Sequence, residues 1–266
     1  MSSDHSFPAA VLAIDIVLAL PVVYITLKHG IRHAAIIGWA YLFVFLTLRI
    51  VSSAMQLKDS TNPSASLVAS IGLSPLLLSA VGILHESRGY SIENRRRSVD
   101  TIWVLLLHVV ISTAVALTGV GASGMSKADI TEDVRNKDKK LVIVGMVLLL
   151  LSWVCISMVT AASFLARPRT TSSGSTDQKQ GKWLLYAVAL AIPFLGIRII
   201  TSLVYFSTQN QSLSPVTGDI GYKVGLGFIE ELIVTVAFVF AGVATRNVGR
   251  DRSNTRVRSE ERRWTK

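Results

Sequence analysis

A chain of 266 residues, half of them hydrophobic, with a mean hydropathy of +0.49 and a formal charge of +10, is not built as one water-soluble domain. Its charges are not spread along it: runs of about 20 residues pass almost free of them, enough at about 1.5 Å per residue to cross roughly 30 Å of hydrocarbon. One membrane bundle uses up this length, and the single cysteine, Cys155, excludes an intrachain disulfide framework or a cysteine-based metal site.

In chain order the predicted spans are 8–27, 34–57, 64–84, 101–122, 141–166, 183–207 and 222–244. The first has no basic segment ahead of it and holds Asp15 and Pro21, so it reads as a span rather than a cleavable signal. The second carries Arg49, and the third ends at His85-Glu86, where snorkelling or loop contacts account for the charge. His108 lies midway along the fourth, where a hydrogen bond to a neighbour accounts for it. Cys155, in the fifth, is a small core residue. Trp39, Trp103 and Trp183 fall near span ends, as an interfacial aromatic belt requires.

Residues 170–180 are rich in Ser, Thr, Gly and Gln and are expected to be flexible. The sixth span carries Arg198, and the seventh carries Glu230 and Glu231 behind Gly221, Gly225 and Gly227, whose spacing suggests close helix packing. Residues 246–266 form a flexible basic tail, expected to lie near anionic headgroups rather than on nucleic acid. The expected organisation is a membrane domain over 1–245 followed by that tail.

Orientation follows from the retention of positive residues in the cytosol. The first, third and fifth connections and the tail hold 18 Lys and Arg; the opposite side holds seven, five of them interleaved with acids between Ser123 and Lys140. The N-terminus is thus expected outside or in the lumen and the tail in the cytosol. The sequon Asn210-Gln211-Ser212 falls on the outer side of this topology. The expected fold is all-α: a multi-pass bundle of seven transmembrane helices in the lipid bilayer, with the endoplasmic reticulum as its default location. The sequence does not set the oligomeric state.

An ionisable side chain at the centre of a span costs roughly 2.5–3.5 kcal/mol on insertion scales and is by default a functional hypothesis. Asp15, Arg49, Arg198 and Glu230 lie six to eight residues from the outer ends of their spans. At about 1.5 Å per residue this is one layer, roughly 9–13 Å deep. Two arginines and three carboxylates, counting Glu231, neutralise one another with one carboxylate left over, a candidate proton donor. The faces of Arg49 and Arg198 continue in polar residues: Ser52, Ser53 and Gln56 on one, Ser202 and Tyr205 on the other. Such stripes line either a cavity or an interhelical seam that only fixes helix register. Arg49-Ile50-Val51-Ser52-Ser53 and Arg198-Ile199-Ile200-Thr201-Ser202 also suggest a parallel repeat of three helices, a linking helix and three more.

A phosphate-binding glycine loop, a paired Asp-rich motif, HExxH and a serine nucleophile elbow are all missing from the sequence. No metal or other cofactor is implied, and a metal-dependent prenyltransferase or a membrane metalloprotease is disfavoured.

Three stretches carry a likeness: Gly72-Leu73-Ser74-Pro75-Leu76-Leu77-Leu78, Pro193-Phe194-Leu195-Gly196-Ile197-Arg198, and Ser214-Pro215-Val216-Thr217-Gly218 followed by Glu230-Glu231. Together, over about residues 8–245, the chain resembles a family of fungal seven-helix membrane proteins of largely unknown function. That family is similar to membrane-bound terpene cyclases of fungal meroterpenoid pathways. An arginine in span six and an acid in span seven recur in it, corresponding to Arg198 and to Glu230 or Glu231. The resemblance implies a metal-independent cyclase, of isomerase or lyase type, that closes the prenyl chain of a hydrophobic substrate by protonating an alkene or epoxide. Glu230, Glu231 or Asp15 is then the acid; Arg49, Arg198, Tyr205, Ser202 and Gln56 face the substrate, with Phe194, Phe206 and Phe228 as further cavity aromatics. A seven-helix receptor, a lipid transporter and a non-catalytic membrane protein are the competing expectations.

Overall fold

A computed structural model describes residues 6–29, 35–59, 71–92, 97–125, 131–166, 174–208 and 220–245, together with Ala65, Val68 and Ala69. The helices are α1 (Ser6–His29), α2 (Ala35–Lys58), α3 (Leu73–Ser91), α4 (Arg97–Met125), α5 (Glu132–Leu165), α6 (Gly174–Thr208), α7 (Ile220–Lys223) and α8 (Glu230–Ala244). A π-helical stretch, Val224–Ile229, joins α7 to α8 and makes them one interrupted rod. The described residues form an all-helical bundle without strands.

Five of these helices, α1, α2, α4, α5 and α6, and the continuous helical stretch Gly227–Ala244 that ends in α8, are long and apolar enough to cross a membrane, six in all. Their outward faces are what lipid requires: Val17, Leu20, Ile102, Leu105, Leu106, Leu151 and Phe240 are exposed. The protein is therefore a multi-pass membrane protein. The remaining long helix, α3, is a different case, since it starts at Leu73 and runs past the expected end at Leu84 through His85, Glu86 and Arg88. Fourteen of its 19 residues are buried, so its polar groups meet protein rather than hydrocarbon. The earlier part of the expected third span lies largely outside the described residues.

Helix α1 packs on α2, α2 on α3, α3 on α6, α6 on α8, and α8 back on α1, closing a ring; α4 and α5 pack on each other and flank α3 and α6. The core of the ring is a continuous apolar cluster that includes Val22, Ile25, Leu42, Phe45, Leu76, Leu77, Val234 and Phe238. Close approach of α2 and α3 depends on two glycines, because a Cβ added to Gly82 would overlap Gly38 and one on Gly38 would meet the backbone of Gly82 and Ile83. Gly145 plays the same part against Ala114 and Thr118 at the crossing of α5 and α4.

The glycines singled out from spacing do not. Among the described residues, a Cβ at Gly221 or Gly225 would meet nothing within 4 Å, and at Gly227 only the Tyr222 carbonyl at 4.0 Å. They flank or lie in the π-helical stretch, where the chain departs from α geometry, so helical spacing did not put them at a helix contact.

Two expected loops are also shorter than composition suggested. Helix α6 begins at Gly174, within the Ser- and Thr-rich segment. Helix α5 begins at Glu132, with Glu132 and Asp133 in its first turn, where the helix dipole favours acids. The basic tail from 246 onward and Asn210 lie outside the described residues.

Candidate functional site

The buried charges of α1, α2, α6 and α8 meet. Glu231, at the start of α8 and 3% exposed, is held from two sides: Arg198 donates its Nε to Glu231 Oε1 at 3.0 Å, and Arg49 Nη1 lies 3.1 Å from Oε2. Arg49 also reaches across to α1, its Nε lying 3.7 Å from Asp15 Oδ2. A chain of alternating charge, Asp15, Arg49, Glu231 and Arg198, thus ties four helices of the ring together. Only neutralisation of this kind makes such charges tolerable in a low-dielectric interior.

Glu230, 5% exposed, precedes Glu231 on α8 and stands differently. Its Oε2 is buried without a hydrogen-bond partner among the described residues, as are Asp15 Oδ2 and Glu231 Oε2, but those two lie 3.7 and 3.1 Å from Arg49 whereas Glu230 forms no ion pair among the described residues; Arg198 and Glu231 are its electrostatic neighbours. Of the three carboxylates this one is the surplus.

Aromatic rings cover one side of the layer. The Phe228 ring, in the last turn of the π-helical stretch, has its centroid 5.8 Å from the Arg49 guanidinium carbon. Phe7 of α1 packs edge-on against it, centroids 6.1 Å apart. Periodicity does not signal the π-helical stretch, and Phe7 lies too near the N-terminus to have drawn notice. The adjacent Gly225 and Gly227 are the sequence's one hint of it, and their spacing suggests close helix packing instead.

Among the described contacts, the other residues expected to face a substrate do not touch the ion-pair chain. Gln56 donates to Ser52 Oγ at 3.2 Å, and Ser52 donates to the Ala65 carbonyl at 2.9 Å, so this polar stripe ties α2 to the chain preceding α3. Tyr205 stacks edge-on with Phe206 at 4.9 Å, and Ser202 is half-buried one turn beyond Arg198. His108 accepts the expected bland role in part, with Nδ1 2.7 Å from the Val104 carbonyl, while its Nε2 is buried without a hydrogen-bond partner among the described residues.

A second polar cluster, missed from sequence, occupies the opposite end of the ring. Trp39 is fully buried rather than interfacial: it donates its indole N–H to Glu86 Oε2 at 3.0 Å and packs on Gly242 of α8. Tyr90 donates to Glu86 Oε1 at 3.3 Å. Glu86, 5% exposed, therefore faces the core and does not snorkel. Beside it Arg88 pairs with Asp100 at 3.1 Å and donates to Ser163 Oγ at 2.7 Å, linking α3, α4 and α5. Trp103 is half-buried with its N–H 3.4 Å from Cys155 Sγ, and only Trp183, half-exposed, sits as an aromatic belt requires.

Fold and site together define a multi-pass helical membrane protein with a buried ionic layer across four of its helices. The chain belongs to the DUF7702 family, a domain of unknown function, whose pattern it matches over residues 9–248. No curated protein and no solved structure matches it.

Proposed function

We propose that this protein is an integral membrane terpene cyclase of the endoplasmic reticulum that closes the prenyl chain of a meroterpenoid-type intermediate, with Glu230 as the proton donor. The observation carrying this reading is that Glu230, alone of the three buried carboxylates, forms no ion pair among the described residues and keeps a buried oxygen without a hydrogen-bond partner, next to a Glu231 engaged by two guanidinium groups. In hydrocarbon an uncompensated ion is costly and a neutral carboxylic acid far less so. Asp15 and Glu231 are engaged by arginine and serve as counter-ions, leaving Glu230 as the acid.

In the reaction the Glu230 O–H proton passes to an alkene carbon or an epoxide oxygen of the substrate. The next double bond of the chain attacks the cationic carbon and forms the ring bond. The final cation loses a proton, which returns to the Glu230 carboxylate, so substrate and product are isomers. Phe228 and Phe7 offer aromatic faces beside the layer, and the apolar ring core excludes water from below it. A prenylated substrate would enter sideways from the bilayer. The likeness of the sequence to the fungal seven-helix proteins and their cyclase relatives supports the same chemistry.

The test is to incubate membranes containing the protein with a farnesylated phenol and with its terminal epoxide, and to look for products of unchanged mass and altered retention. Glu230→Gln should lower isomer formation about 100-fold or more at unchanged protein level. Undiminished product in Glu230→Gln, or no isomer from wild type with either compound, sinks the reading. The two-arginine hold on Glu231 favours a second reading, a non-catalytic membrane protein whose ion pairs fix helix register. Wild type would then form no isomer.

A further inference from the structure

With all three of its carboxylates ionised the layer carries one surplus negative charge, which either a proton on Glu230 or a bound cation offsets. Arg49 and Arg198 face Asp15, Glu230 and Glu231, and α3, the remaining helix of the ring, adds no charge to it among the described contacts. One monovalent cation would complete it. We propose that the layer is a binding site for a lipophilic ammonium ion, with Glu230 as its counter-ion.

The chemistry of the donors selects this class of ligand over a metal ion. A hard cation takes about six oxygen ligands, whereas Asp15 and Glu231 are already engaged by arginine, and no cluster of three or more metal-binding side chains occurs among the described residues. What is offered is one buried carboxylate outside the ion pairs, Glu230, with an oxygen that has no hydrogen-bond partner among the described residues. An alkylammonium suits it, through a charge-assisted hydrogen bond to that carboxylate, while its chain stays in hydrocarbon.

The position allows entry from lipid. Phe7 and Phe228 are only half-buried, Ile229 is 43% exposed, and a Cβ on Gly225 would meet nothing within 4 Å among the described residues. A ligand at this seam reaches the first turn of α8 without crossing the apolar core.

The inference rests on the proposed function for its choice of Glu230 as the group not consumed by an arginine, and a bound ammonium would occupy the place of the reacting cation. It is nevertheless testable without turnover. The full chain is purified in dodecyl maltoside and its thermal unfolding followed with N,N-dimethylfarnesylamine, with farnesol as the uncharged counterpart, and with added NaCl. The amine at about 100-fold over its Kd should raise Tm by roughly 5 °C. Farnesol and NaCl should not reproduce the shift, Glu230→Gln should abolish it, and Glu230→Asp, which keeps the charge, should retain part of it. An equal response to farnesol, a shift produced by NaCl alone, an undiminished shift in Glu230→Gln, or no shift with the amine overturns the proposal. Isomer formation by a protein that ignores the amine defeats this inference alone; amine binding without isomer formation defeats the cyclase alone.

Discussion

Glu230 and Glu231 are neighbours in sequence and equally buried, yet their surroundings separate them. Glu231 compensates two guanidinium groups at 3.0 and 3.1 Å, whereas Glu230 forms no ion pair among the described residues. Removing one member of a buried ion pair leaves an uncompensated charge and costs about 3–5 kcal/mol. Glu231→Gln strands two arginines and should lower stability by at least that much. Glu230→Gln replaces an acid by an isostere of the same size and should stay within about 1 kcal/mol of wild type. Thermal unfolding of both variants in the same detergent checks the order; a Glu230→Gln as damaging as Glu231→Gln would make Glu230 a structural charge and remove it from the chemistry. Composition and depth had already drawn Asp15, Arg49, Arg198 and the two glutamates together, because a charge inside an apolar run is too costly to be accidental. Which glutamate is engaged was not legible, since adjacent residues on a helix differ by about 100° in direction and sequence does not fix the rotation of α8.

At the scale of elements, the helices themselves were legible from apolar run length, and their crossings were not. The close crossing uses Gly38 and Gly82, forty-four residues apart and on different helices, a pairing no local spacing announces. Among the described residues the conspicuous Gly221, Gly225 and Gly227 pack on nothing near enough to need them. Opposite outcomes follow for substitution. Gly82→Leu drives a large side chain into the α2 backbone and should prevent stable accumulation in the membrane, as overpacking against backbone has no rotamer to relieve it. Gly225→Ala should change the unfolding temperature by only a few degrees in either direction. Expression level together with detergent-solubilised thermal unfolding decides both; a tolerated Gly82→Leu would mean that α2 and α3 do not meet at these residues. The Pro193–Arg198 motif shows the same mixture of packing and chemistry in one stretch. The Trp153 ring lies against Gly196 and its N–H donates to the Ile192 carbonyl at 2.8 Å, so that α5 braces the turn of α6 that presents Arg198. Trp39 and Glu86 were misplaced because position near a span end fits an interfacial belt, and their mutual hydrogen bond across 47 residues leaves no local pattern.

At the scale of the molecule, the ring encloses two polar layers with a hydrophobic barrier between them. Along α2 the layers are Arg49 and Trp39; along α8 they are Glu231 and Gly242; the ten or eleven residues between them span roughly 15 Å. Leu42, Phe45, Val234 and Phe238, all at most 1% exposed, fill that interval. The ionic layer therefore communicates with one side of the membrane only, and charge bias in the connections predicts that this side is outside or lumenal. This is testable because Cys155, the sole thiol, can be removed: it is half-buried and contributes only a weak contact with Trp103. In a Cys155→Ser background, Ser259→Cys should react with a membrane-impermeant maleimide in intact, right-side-out microsomes, whereas Ser2→Cys should react only after detergent. The reverse pattern would put the ionic layer toward the cytosol. It would leave the ring, the barrier and the Glu231 clasp as they are, but a proton donor on that side would work in cytosolic rather than lumenal surroundings.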